Sequence, residues 1–160
     1  MSIYGDLEGA LAYHQARGNV AWSADSVTDT QRAAALTRAT SWVDSYRSRL
    51  PGRKADGRGQ ELEWPRVGAA DAEGNEIAED EIPIEVEQAT YEAALRELVE
   101  PGSLFPDLER GGAVKRLKAG SVEVEYADSA SLTTTFTAIE AILEAILTPA
   151  SGATVDLLRV

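Results

Sequence analysis

Asp71, Glu73, Glu76, Glu79, Asp80 and Glu81 form the densest group of potential ligands in the chain, since carboxylate oxygens are what a hard cation binds. Their spacing misses the calcium-loop template: Gly74 falls too early, and no acidic residue closes the loop where a bidentate ligand is needed. The run is expected to be a solvated turn followed by the acidic start of a helix. His14 is the single histidine, next to Tyr13, and general acid–base work would need a positioned partner that the spacing does not supply. A surface or half-buried helix histidine is expected there. With no cysteine, no Gly-x-Ser-x-Gly run, no phosphate loop and no dinucleotide fingerprint, the expectation is a protein that is not an enzyme and holds no metal or cofactor.

Two basic groups stand out against a formal net charge of -12: Arg47, Arg49, Arg53, Lys54, Arg58 with Arg66, and Arg110, Lys115, Arg116, Lys118. Interleaved with Tyr46 and Trp64, the first has the composition of a single-strand binder, in which aromatic rings stack bases and cations hold phosphates. The alternative is pairing with carboxylates, either of the chain's own acidic stretch between Glu61 and Glu100 or of a neighbouring subunit met head to tail. Net charge favours the alternative, because nonspecific nucleic-acid affinity comes largely from Lys and Arg displacing counterions. Trp64 precedes Pro65 and Arg66, where its ring must fold back onto the core or engage a partner.

The elements that carry these residues can be read from periodicity. Residues 6–17 make a short helix capped by Asp6 and stopped at Gly18, with Leu7, Ala10 or Leu11, and His14 on one face. Thr28-Asp29-Thr30-Gln31 has the form of a capping box, and Leu36, Ala39, Val43, Tyr46 and Leu50 predict a helix from Thr28 to about Leu50, ended by Pro51-Gly52. Residues 51–80 read as a long loop with a short hairpin turning at Glu73-Gly74-Asn75 and anchored by Leu62, Trp64, Val67 and Ile77. A third helix begins near Pro83 and runs to about Val99, burying Val86, Ala89, Ala93, Leu95 and Leu98 or Val99. Alternation in Val122, Val124 and Tyr126 predicts a strand, paired with residues 114–118 in a hairpin at about 114–127. Residues 133–147 form the last helix, with Phe136, Ile139, Ile142, Leu143, Ile146 and Leu147 on its apolar stripe.

The fold class is therefore mainly α: a small bundle of about four helices, with a long loop carrying a short β-hairpin and an extended C-terminal arm. Its organisation is one helical domain over residues 1–147 and an arm over 148–160. The apolar end of the arm, Val155, Leu157, Leu158 and Val160 with Arg159 among them, is too short for a core of its own and is expected to bind a partner. No apolar stretch approaches the roughly 18 residues of a membrane span, and residues 1–8 lack a basic region followed by an apolar run, so a protein that is cytosolic when made, with no membrane partner, is expected.

Leu62-Glu63-Trp64-Pro65-Arg66-Val67-Gly68, the Gly74 turn, Ile77, and Asp80-Glu81-Ile82-Pro83 leading into Val86, Ala89 and Glu92-Ala93-Ala94-Leu95 together resemble a tailed-phage family. The resemblance extends to Ala33-Ala34-Ala35-Leu36, Ala39-Thr40 and Trp42-Val43-Asp44 upstream, and to Lys115–Tyr126 and the last helix downstream. Its members look like head–tail connector adaptors, and many carry the label DnaT-like single-stranded-DNA-binding protein. The resemblance implies a virion protein: a homo-oligomeric ring, commonly of twelve subunits, beneath the portal protein and facing a tail-side connector, stopper or tail terminator. It implies subunit or connector contacts at Trp64, Pro65 and Arg66 with the neighbouring Arg53, Lys54 and Arg58, and at Val122, Val124 and Tyr126. It further implies partner binding by the arm through Val155, Leu157, Leu158, Arg159 and Val160. DNA would pass the acidic channel without sequence-specific binding, repelled by a wall of like charge. A replication protein that binds single strands is the competing expectation.

Overall fold

The computed structural model describes residues 2–105, 116–119, 122–125 and 136–149. Among the described residues, four helices and two short hairpins make a mainly α architecture. The first helix, α1 (Leu7–Ala16), starts at Asp6, whose side chain accepts the Gly9 N–H at 2.7 Å. The second, α2 (Asp29–Asp44), opens with the capping box expected of Thr28 and Gln31: the Gln31 N–H donates to Thr28 Oγ1 at 3.3 Å, and the Thr28 N–H donates to Gln31 Oε1 at 2.8 Å. That helix ends earlier than its periodicity predicts. From Ser45 to Ser48 the backbone tightens into a 3₁₀ turn, which still carries Tyr46 and Leu50 onto the core side.

The third helix, α3 (Ile84–Val99), follows Pro83 and lies against α2 in the principal helix pair of the molecule. Both helices present alanines to the contact, Ala35 and Ala39 from one and Ala89 and Ala93 from the other, all fully buried. Small side chains there let the two backbones approach closely. Of the two residues expected to close the α3 stripe, Leu98 packs against the core, whereas Val99 is 67% exposed. The last helix, α4 (Thr137–Leu143), is shorter than expected, continuing as turns through Ile146, and Ile139, Leu143, Ile146 and Leu147 are buried from it.

The long loop is better ordered by pairing than its glycines suggest. Strand β1 (Arg53–Lys54) pairs antiparallel with β2 (Arg66–Val67), in register Arg53↔Val67 and Lys54↔Arg66. Beyond it, an isolated bridge joins Ala70 and Glu76 around the expected turn at Gly74. Asp71 shapes that turn by accepting the backbone N–H groups of Glu73 and Asn75 and the Asn75 amide. A second hairpin, β3 (Arg116–Ala119) with β4 (Val122–Glu125), is the one expected from the alternating run. Its register sets Arg116 opposite Glu125, Leu117 opposite Val124, Lys118 opposite Glu123 and Ala119 opposite Val122. Among the described residues, no helix is long and apolar enough to cross a membrane.

Candidate functional site

The basic–aromatic segment from Tyr46 to Arg66 is held by a close approach of backbone at its root. Gly52 has φ +64, and a Cβ on it would collide with the Val67 carbonyl, so only glycine lets β1 start beside β2. From there the loop closes on Gln60, whose amide donates to the carbonyls of Leu62 at 2.9 Å and Pro65 at 3.0 Å.

Trp64 and Arg66 point inward. Trp64 is 1% exposed, and its backbone N–H donates to the Tyr4 hydroxyl at 3.1 Å. That hydroxyl in turn donates to Asp44, whose carboxylate also accepts the Glu63 N–H. Burial raises both partners above their ordinary values, the Tyr4 phenol strongly and the Asp44 carboxyl with it. Arg66 is 6% exposed and acts as a strut: Nε donates to the Pro51 carbonyl at 2.6 Å, one terminal nitrogen to the Gly52 carbonyl at 2.9 Å, and the other to both the carbonyl and the carboxylate of Glu63 at 3.1 Å. A guanidinium so fully engaged joins the two limbs of its own loop. Any contact with another chain at Trp64-Pro65-Arg66 would be made by the loop they hold together, since the Trp64 and Arg66 side chains are already buried.

The remaining cations divide. Lys54 Nζ is paired with Glu63 Oε1 at 3.2 Å and bonded to the Gln60 carbonyl, while Arg49 Nε donates to the Thr148 carbonyl at 3.2 Å. Arg47, Arg53 and Arg58 are exposed, and none has an ion-pair partner among the described residues. The aromatic partners expected beside them face the other way. Tyr46 meets the edge of Trp42, which also meets Phe136, and the Tyr46 hydroxyl donates to Glu140 Oε1 at 3.2 Å; burial and that carboxylate push the phenol up to about 12. What the segment presents to solvent is a set of guanidinium groups able to bind carboxylate or phosphate, without the Tyr46 or Trp64 ring as a stacking surface.

Of the other expected contact residues, Val122 and Val124 lie in β4 of the second hairpin, in register with Ala119 and Leu117. Tyr126 and the arm residues Val155, Leu157, Leu158, Arg159 and Val160 lie outside the described residues. The root of the arm is described: the Thr148 N–H and hydroxyl both donate to the Arg49 carbonyl, at 2.8 and 2.7 Å, so Thr148 belongs to the helical body.

Two buried polar groups escape the periodicity reading. His14 is 1% exposed, with Nε2 3.1 Å from the Tyr91 carbonyl and Nδ1 3.2 Å from the Asn19 amide nitrogen, and its ring tilts against Trp22. A neutral imidazole protonated on Nε2 satisfies both contacts, and burial holds its pKa below the usual 6.5. Glu97, 2% exposed on α3, pairs with Arg38 of α2 at 2.6 Å and accepts the Gly102 N–H at 2.9 Å, tying the helix pair to the turn after α3. His14 and Tyr13 together on a helix, and an acidic residue four places after Ala93, were the available signals; neither distinguishes a buried group from an exposed one.

No curated protein and no solved structure matches the chain. A family model does, over residues 3–160, and on that match the chain belongs to the family described as "Putative DnaT-like ssDNA binding protein".

Proposed function

We propose that this chain is a structural subunit of a phage head–tail connector, forming a homo-oligomeric ring of about twelve copies beneath the portal protein and joining it to a tail-side component while DNA passes through the channel. The sequence resemblance set out above supports the phage assignment. The observation that carries the choice of a protein-binding role is the division of the basic segment, with Trp64 and Tyr46 turned inward and Arg47, Arg53 and Arg58 left exposed on a chain of net charge -12. Exposed guanidinium groups without stacking rings suit carboxylates, and the chain displays them at Glu73, Glu76, Glu79, Asp80 and Glu81, all exposed. Such a role needs no catalytic group, and the finished protein would reside in the virion. Electron microscopy of portal protein mixed with the purified chain tests the reading: ring-shaped density seated on the portal is expected, and bare portals at saturating protein would reject it.

Single-strand binding is the second reading, and the family's description favours it. It would have to rest on Arg47, Arg53 and Arg58 holding phosphates, with bases left unstacked on Tyr46 and Trp64. Titration of a labelled single-stranded oligonucleotide at low salt decides it. Affinity that falls steeply as salt rises supports the reading, and no binding at micromolar protein rejects it.

A further inference from the structure

Residues 53–60 form a finger that stands clear of the body. A Cβ added at Gly57 or Gly59 would meet no atom within 4 Å among the described residues, and Arg58 between them is exposed. The finger is nevertheless firmly built. At its base β1 pairs with β2, the Gln60 side chain accepts the Asp56 N–H at 3.0 Å while donating to the Leu62 and Pro65 carbonyls, and Lys54 Nζ donates to the Gln60 carbonyl. With Lys54 paired to Glu63, Arg53 and Arg58 outweigh Asp56, the one carboxylate in the finger. Its root meets the C-terminal end of α2, where Asp44 accepts the Glu63 N–H. Toward the other end of α2, about 18 Å from Asp44 at 1.5 Å per residue, Arg32 borders an open groove of about 500 Å³ against α1. Leu7 and Leu11 give this groove an apolar wall, Leu11 being 36% exposed, and Glu8 gives it an exposed carboxylate with no ion-pair partner among the described residues. Arg32 is already engaged: it donates to Asp29 at 2.7 Å and to the Trp22 and Ala24 carbonyls at 2.7 and 3.2 Å. Asp6 and Asp25, in the segments flanking the groove, are exposed as well.

We propose that the finger of one copy docks in the groove of the next, with the Arg58 stem along Leu7 and Leu11 and its guanidinium on Glu8. This contact rests on the homo-oligomeric reading above and specifies the surfaces it uses. An arginine side chain is apolar along its stem and cationic at its tip, and it matches a groove with an apolar wall and an acidic rim. The bonds at the base of the finger hold Arg58 out before any contact is made, so little freedom is lost on docking. Position points to a second copy: the root of the finger and the groove lie toward opposite ends of α2, and two different faces of one chain make the head-to-tail contact from which rings close. The acidic turn at residues 73–81 is the rival surface, but it sits at the finger's own end of the molecule. There the Ala72 N–H donates to the Ala145 carbonyl at 2.8 Å, and the nearby Thr148 N–H donates to the Arg49 carbonyl at 2.8 Å.

The chain has no cysteine, so each introduced thiol is unique in the full-length protein. Gly59→Cys marks the fingertip and Gln15→Cys the groove, both at exposed positions. In a concentrated mixture of the two variants, a short bismaleimide is expected to give several times more cross-linked dimer than with either variant alone. Adding Glu8→Arg to the groove variant should abolish that excess, and adding Arg58→Glu to the finger variant should then restore it, with every variant folded by circular dichroism. No excess in the mixture, an excess untouched by Glu8→Arg, or a paired reversal that restores nothing would overturn the contact. Cross-linking of Gly59→Cys to Glu79→Cys in preference to Gln15→Cys would overturn it too, by assigning the finger to the acidic turn. No portal protein enters the measurement: rings on portals without this cross-link would overturn the contact alone, and the cross-link with bare portals would overturn the connector reading alone.

Discussion

At the scale of the residue, the groups with the most conspicuous chemistry are used to hold the chain together. His14 is the clearest case: its two nitrogens are occupied by the Tyr91 carbonyl and the Asn19 amide, and its ring by Trp22. Burial depresses its pKa, against a smaller opposing pull from Glu92. The unfolded chain takes up a proton near 6.5 that the folded chain refuses, so stability is full above that pH and is lost as pH falls below it. Asp44 acts in the opposite sense at lower pH, because its carboxyl is raised above 3.8 and the folded state binds that proton more readily. Denaturant titrations at a series of pH values therefore need a reference variant. His14→Gln should flatten the slope just below 6.5, and an unchanged slope would show that His14 does not titrate on unfolding. The histidine was visible in the sequence as a helix residue, but its burial was not. What buries it is Trp22 from the following loop and Tyr91 from α3, partners distant along the chain.

At the scale of the element, the helices were legible because their signals are local. The Thr28–Gln31 capping box and the Asp6 cap each act within a few residues. The exit from α2 was misjudged by a turn because a 3₁₀ segment keeps Tyr46 and Leu50 on the core side without continuing the α-helical hydrogen bonds. The β1–β2 pair was hidden for a different reason: two-residue strands have no periodicity, and their register depends on Gly52 meeting Val67 across fourteen intervening residues. Gly52→Ala tests that dependence. A left-handed φ costs a non-glycine residue about 1–2 kcal/mol, and the Val67 carbonyl adds a collision, so Tm should fall by roughly 4–8 °C. An unchanged Tm would mean that the close approach does not constrain the loop.

At the scale of the whole molecule, charge and side-chain direction bear on both proposed readings. Sequence composition placed Tyr46, Trp64 and Arg66 in one basic–aromatic cluster, and folding takes it apart: Trp64 and Arg66 are buried and Tyr46 is half-buried against the core, while Arg47, Arg53 and Arg58 remain at the surface. Adjacency in sequence could not reveal this, because the Tyr4–Asp44 pair that receives the Trp64 backbone is assembled from residues forty positions apart. On the proposed connector reading, exposed arginines on a chain of net charge -12 would meet carboxylates of a neighbouring subunit, whereas the family's description points to single-stranded DNA. The direct measurement is electron microscopy of portal protein incubated with the wild-type chain and, in parallel, with the Arg53→Glu/Arg58→Glu variant. The account predicts closed rings on portals for the wild type and far fewer for the variant; portals bare of density with wild-type protein would contradict it.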